Sequence, residues 1–150
     1  MDMKKVLVLG LFLVVAVSAV AAISATEELT LDGIQFKIPD GYNVVEKSTD
    51  TSDSNDKEDI DGTPVDTEVN AEYKNAAGDK LEFKVGTKNN GKIDSINPAN
   101  AQKKQIAGKD GFLIKEVDDG KDKYNFEYLQ DGKLVKITAV SEDIISQVIV

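Results

Sequence analysis

Apolar and polar residues alternate through the last part of the chain, from Gly111 to Val140. In three runs the alternation has a period of two residues: Phe112 to Lys115, Tyr124 to Tyr128, and Val135 to Ala139. This period is typical of strands in a sheet that buries one face. The second and third runs are connected by Asp131-Gly132, a dipeptide that tolerates the positive φ angles of a tight hairpin turn. The pattern predicts an antiparallel meander of three strands.

Shorter runs with the same alternation precede the meander. Leu29 to Leu31 and Ile34 to Ile38 are joined by Asp32-Gly33, which indicates another hairpin. The remaining predicted strands are Glu68 to Lys74, Lys80 to Thr87 and Lys103 to Ile106. Tyr42 to Val45 is either a further short strand or a loop. Together these runs predict a multi-stranded antiparallel sheet built from hairpins.

The chain closes with a pattern typical of a helix. Ser141 is a suitable N-cap, and the acidic residues Glu142 and Asp143 follow where the helix dipole favours negative charge. Apolar residues then recur at helical spacing, at Ile144, Ile145, Val148 and Ile149. We therefore expect an α+β fold, in which the antiparallel sheet is covered by a C-terminal helix.

Residues 46–66 form a break in the pattern. Apolar side chains nearly vanish there, and Asp, Ser, Thr, Lys and Asn predominate. Such a segment buries too little apolar surface to offset the entropy cost of ordering its backbone. We expect an acidic mobile loop within a single domain that spans residues 26–150.

The first 25 residues are organised like an export signal. Lys4 and Lys5 precede an uncharged apolar run over residues 6–23, and the acidic residues Glu27 and Glu28 follow soon after it. Cleavage after Ala25 is one expectation. The run is also long enough to remain as an N-terminal membrane anchor, which would then be the sole membrane contact. Both alternatives place the domain outside the cytoplasmic membrane, either secreted or anchored at its outer face.

Composition narrows the classes of function. The formal net charge is −9, and the chain contains no histidine and no cysteine. Nucleic-acid binding relies on clustered positive charge, so we expect no nucleic-acid partner. Without histidine and cysteine the chain lacks the commonest general base, the best thiol nucleophile and the usual zinc ligands. We expect no enzymatic activity, no catalytic residues and no cofactor.

One acidic stretch partly matches a calcium-binding loop. Counted from Lys57, the residues Asp59, Asp61, Gly62 and Glu68 fall at positions three, five, six and twelve. A lysine at the first position cannot ligate a cation. A solvated acidic loop is therefore the main interpretation, and a metal site formed by Asp59, Asp61 and Glu68 is the weaker alternative.

Three segments, over residues 33–42, 106–112 and 128–133, resemble small exported proteins of methanogenic archaea that have no known activity. More distantly, the strand that ends in Ile38-Pro39 before Gly41-Tyr42, the hairpins, the strand with Asp131-Gly132-Lys133 and the last helix are similar to the PsbP/Mog1-like fold. That resemblance implies an antiparallel sheet with helices and a role in binding partners or assisting assemblies. It implies no catalytic residues, and the acidic segment after Tyr42 departs from it.

The sequence thus predicts an exported, extracytoplasmic, non-enzymatic domain associated with the cell envelope. We expect a monomer that binds an unidentified envelope protein through an exposed sheet edge or through the acidic loop. The alternative function is binding of a divalent cation, calcium, by that loop.

Overall fold

The computed structural model of the protein describes residues 27–51 and 58–150. The predicted export segment lies outside these residues. Within them, no helix combines the length and the apolar character that a membrane crossing requires.

The described chain is mostly antiparallel strand, with one helix near its C-terminal end. Its elements are β1 (Glu27–Leu31), β2 (Ile34–Ile38), β3 (Asn43–Thr51), β4 (Glu58–Ile60), β5 (Thr63–Val65), β6 (Thr67–Lys74), β7 (Lys80–Thr87), β8 (Gln102–Ile106), β9 (Lys109–Asp118), β10 (Lys121–Gln130), β11 (Lys133–Ala139) and α1 (Glu142–Val148). This content is richer in strand than an α+β class suggests, although it is compatible with that class.

Seven strands form the main sheet, in the order β3-β6-β7-β11-β10-β9-β8, and every neighbouring pair is antiparallel. The predicted meander is confirmed as β9, β10 and β11, which pair in sequence order. A row of side chains crosses the sheet from Leu113 through Phe126, Ile137 and Phe83 to Ala71, and all five are buried. This row fixes the register, because a shift by one residue would turn the apolar set to the opposite face.

One face of the sheet, here called the helix face, is covered by the β1–β2 hairpin and by α1. Phe36 of β2 packs on Phe83 of β7 with ring centroids 4.6 Å apart. The expected C-terminal helix is confirmed: the Ser141 side chain accepts a hydrogen bond from the backbone N–H of Ile144, and Ile145 and Val148 are buried. The main hydrophobic core lies between these layers.

The opposite face, here called the hairpin face, is partly covered by a small two-stranded sheet of β4 and β5. Ile60 and Val65 of this hairpin are buried with Ile93 and Leu134 in a second apolar cluster. Gly86 makes room for them, since a Cβ atom at that position would lie 2.6 Å from Cγ1 of Val65.

The described parts of residues 46–66 therefore differ from the mobile loop that the composition predicts. They belong to β3, β4 and β5, while residues 52–57 lie outside the described part. The physical reason is that two apolar side chains, Ile60 and Val65, are enough to dock a short hairpin where Gly86 leaves space for them on the sheet. The turn itself has positive φ at Asp61 and Gly62, which is the backbone that an Asp-Gly pair favours.

The docked helix can be tested by truncating one buried side chain. Ile145→Ala should lower the free energy of unfolding by about 2–5 kcal/mol, because it removes buried methyl groups and leaves a cavity. Gln147→Ala, at an exposed position of the same helix, is the matched control and should stay within about 0.5 kcal/mol of the parent protein. Denaturant unfolding measures both, and equal stability of the two variants would contradict the docked helix.

Candidate functional site

The three acidic residues that the sequence offers as metal ligands lie in and beside the β4–β5 hairpin. Asp59 is exposed, and its Oδ1 accepts a hydrogen bond from the backbone N–H of Gly62 at 3.4 Å. Asp61, in the turn, forms an ion pair with Lys136 at 2.8 Å. Glu68, on β6, is buried and forms an ion pair with Lys84 at 3.8 Å. Each carboxylate thus has a different neighbour.

This arrangement does not bring the three carboxylates together around one point. Across residues 27–51 and 58–150, no group of three or more acidic side chains is placed to hold a metal ion. Two of the three face lysine ammonium groups, which supply the positive charge that a cation would otherwise supply. We therefore do not identify Asp59, Asp61 and Glu68 as metal ligands.

The hairpin leads instead to an acid that the sequence pattern does not single out. Glu127 lies on β10 and faces the underside of the hairpin, in a cross-strand row with Lys84, Lys136 and Phe112. Its side chain is completely buried. Within the described residues, neither carboxyl oxygen receives a hydrogen bond from a donor. An ionised carboxylate in such a place would be strongly destabilising.

Protonation of Glu127 removes this buried negative charge. Burial, followed by the hydrogen bond and the charge of Asp61, together raise the pKa of Glu127 to about 9, against an opposing effect of Lys136. The pKa of Asp61 is lowered, chiefly by the hydrogen bond with Glu127 and also by Lys136. At neutral pH, Glu127 is therefore the donor: its O–H donates to the Asp61 carboxylate, which also accepts from the Lys136 ammonium group.

The polar residues next to Glu127 on the meander strands are hydrogen-bonded to one another. Thr138 donates through its hydroxyl to Oδ1 of Asn125 at 2.7 Å, and the Asn125 amide donates to Oε2 of Glu116 at 2.9 Å. This chain links the three strands of the meander. Asn70, in the same cross-strand row as Glu127, likewise has a buried Oδ1 without a hydrogen bond, but Glu127 is the buried group of the two that can carry a charge.

Two carboxyl groups with pKa values pushed apart form the pattern of an acid–base pair in hydrolytic enzymes. A substrate would have to reach both groups. The Glu127 carboxyl oxygens lie beneath the hairpin and have almost no solvent contact. The pair therefore lies in the contact between the hairpin and the sheet, where Glu127 is shielded from solvent.

An open groove of about 260 Å³ lies where β11 ends between two longer neighbours. The β6–β7 turn borders one side, the β9–β10 turn borders the other, and Thr138 to Val140 form the floor. Acidic and lysine side chains alternate around it, namely Asp79, Lys80, Glu82, Asp118, Asp119, Lys121, Asp122 and Lys123. Such a mixed and solvent-open lining favours no particular ligand.

The sheet edges offer a different kind of site. β3 is nine residues long and forms one edge, so that its outer side pairs with no strand among the described residues. Val44 and Val45 are 53% and 55% exposed on this edge, and Val45 lies within a bulge between Val44 and Glu46. The other edge is β8, where the side chains from Gln102 to Gln105 are exposed and include Lys103 and Lys104. The two edges therefore differ in chemistry.

Comparison of the chain with protein-family profiles, with curated proteins and with solved structures finds no match in any of the three. Function must therefore be inferred from the residues of this chain and their arrangement.

The buried acid makes a prediction about pH. Unfolded Glu127 loses its proton near its ordinary pKa of 4.5, whereas the folded protein retains that proton up to about pH 9. Between these values the unfolded state binds fewer protons, so this residue lowers the stability progressively as pH rises. Glu127→Gln should remove that contribution, and its advantage over the parent protein should grow from pH 5 to pH 9.

Denaturant unfolding at pH 5, 7 and 9 measures the effect. Glu28→Gln, at an exposed position of β1, removes one carboxylate without removing a buried one and is the matched control. Its stability should follow that of the parent protein at each pH. Parallel pH profiles for the parent and Glu127→Gln would show that Glu127 is ionised in the folded protein at neutral pH.

Proposed function

We propose that this protein is an exported, non-enzymatic domain that binds another protein of the cell envelope by adding a strand of that partner to β3. The observation that carries the proposal is the long edge strand β3, which has two exposed valines and whose outer side pairs with no strand in the described part of the chain. An edge strand presents a row of backbone donors and acceptors to an incoming extended segment, and exposed apolar side chains add contact area.

The charged side chains of β3 indicate which kind of partner segment fits this edge. Glu46 and Asp50 are exposed on β3, with Lys47 between them, and the whole chain carries a formal net charge of −9. A partner segment with lysine or arginine beside small apolar residues complements this surface. Opposite charges at the rim of an interface mainly accelerate association and discriminate against wrong partners.

The opposite edge supports the choice of β3. Natural sheets protect their edges with charged side chains, especially lysine, because an uncovered edge invites unwanted pairing. β8 has adjacent lysines, Lys103 and Lys104, at its centre, whereas β3 exposes adjacent valines. Both edges carry charged side chains, but the adjacent exposed valines of β3 offer a partner apolar contact area that the centre of β8 lacks.

The proposal that the protein is exported is based on its N-terminal pattern, in which Lys4 and Lys5 precede the apolar run over residues 6–23. A chain that lacks cysteine is also independent of the redox state of its compartment. We further propose that the resemblance to the PsbP/Mog1-like fold extends to its role, since members of that fold bind partners or assist assemblies.

Site-specific photo-crosslinking tests the binding edge. With a benzophenone amino acid at Val45, intact cells should yield one major crosslinked product, and peptide mapping should place the crosslink in an extended basic segment of an envelope protein. The same probe at Lys103 on β8 is the matched control and should give little of that product. Crosslinking of the chain to a second copy of itself, or equal yields at both positions, would contradict the proposal.

Labelling of a single introduced cysteine tests export separately. Because the natural chain has no cysteine, Ser95→Cys at an exposed position provides one reactive thiol. A membrane-impermeant maleimide should label it in intact cells as fully as after lysis. Labelling only after lysis would place the domain in the cytoplasm.

A further inference from the structure

The β4–β5 hairpin is attached to the rest of the protein mainly through side chains. It forms its own two-stranded sheet and leaves the main sheet between β3 and β6. At its base, the backbone N–H of Asp66 donates to the carbonyl of Thr87 at 2.7 Å. Above that base, Ile60 and Val65 provide the apolar contact and Asp61 provides the polar one.

The polar contact is finely balanced in charge. Asp61 meets Lys136 of β11, whose side chain is only 16% exposed, and the carboxyl of Glu127 on β10. From β7, Lys84 lies in the same cross-strand row and is paired with Glu68. From β9, the residue opposite Glu127 is the uncharged Phe112, while Lys115 and Glu116 line a pocket together with Asp61. Lys84 also acts on Asp61 through its charge, so that three acids, with Glu68 included, share two lysines around this contact.

We propose that Glu127 and Asp61 form a proton-dependent latch, which holds the β4–β5 hairpin on the sheet while Glu127 is protonated and releases it when both carboxyl groups are ionised. The proton leaves to solvent, and no other bond is made or broken. The shared hydrogen bond is thereby replaced by repulsion between two carboxylates.

The hairpin is the part that should move. Glu127 lies on β10, which is paired on both sides and buried on both faces at this point. Asp61 lies at the end of a short hairpin and is already partly exposed. A buried, uncompensated negative charge is strongly destabilising, and moving Asp61 into water relieves it at the cost of the Ile60 and Val65 contacts.

Release would uncover apolar residues on the hairpin face. Ile60 and Val65 of the hairpin would separate from Ile93 and Leu134, with which they are now buried. In chain order the hairpin is the next described element after β3, with residues 52–57 between the two. The latch therefore couples the protonation of one buried acid to the exposure of an apolar patch, whether or not β3 binds a partner.

Hydrogen–deuterium exchange of the full chain tests the latch. After correction for the intrinsic effect of pH, the protection of backbone amides in residues 59–65 should fall at least about tenfold between pH 7 and pH 10, the change that one unit of pKa shift represents. Amides in β10 and β11 should remain protected. In Glu127→Gln the amide can still donate to Asp61, so the hairpin should stay protected at both pH values.

Glu28→Gln should behave like the parent protein. Asp61→Asn provides a second route if Glu127→Gln does not fold: it removes the opposing charge, so hairpin protection should no longer depend on pH. Carbon-13 NMR of the Glu127 carboxyl in the parent protein should show titration near pH 9. Titration near pH 4.5, constant protection of the hairpin up to pH 10, or an equal loss in Glu127→Gln would overturn the latch.

Discussion

Coverage of β10 on both faces is the constraint on which the rest of the structure depends. Phe126 and Tyr128 are buried on the helix face, and Asn125 and Glu127 are buried on the hairpin face of the same strand. A strand in this position cannot present its polar side chains to water, so each needs a partner inside the protein. Asn125 bonds to Thr138 and Glu116, whereas Glu127 is satisfied by retaining its proton.

Local patterns account for most of the fold. The meander, the β1–β2 hairpin and α1 follow from alternation, Asp-Gly turns and a capped apolar stripe, all of which act over a few residues. The β4–β5 hairpin escapes that reasoning because only Ile60 and Val65 interrupt its acidic surroundings. The signal was nevertheless present, since the turn rule that locates Asp32-Gly33 applies equally to Asp61-Gly62.

The candidate site could not be predicted in the same way. Along β10, Asn125 and Glu127 alternate with aromatic residues and have the pattern of a solvent-facing side. Their burial depends on a hairpin that lies about sixty residues earlier in the chain, and local alternation carries no information about such docking. The length of β3 could not be predicted from the sequence either. Its side chains are largely polar and show no apolar alternation, and its pairing with β6 is made by the backbone.

The two hairpins that cover the sheet share a means of attachment. Asp32, in the β1–β2 turn, lies 3.7 Å from Lys133 and its backbone carbonyl also accepts from that ammonium group, while Asp61 in the β4–β5 turn lies 2.8 Å from Lys136. Both lysines belong to β11, and their odd and even positions place them on opposite faces of the sheet. Each turn aspartate thus adopts the positive φ angle of its turn and also docks its hairpin on the sheet through a lysine. Only the second lies beside a buried acid, so of these two attachments it is the one that a proton can weaken.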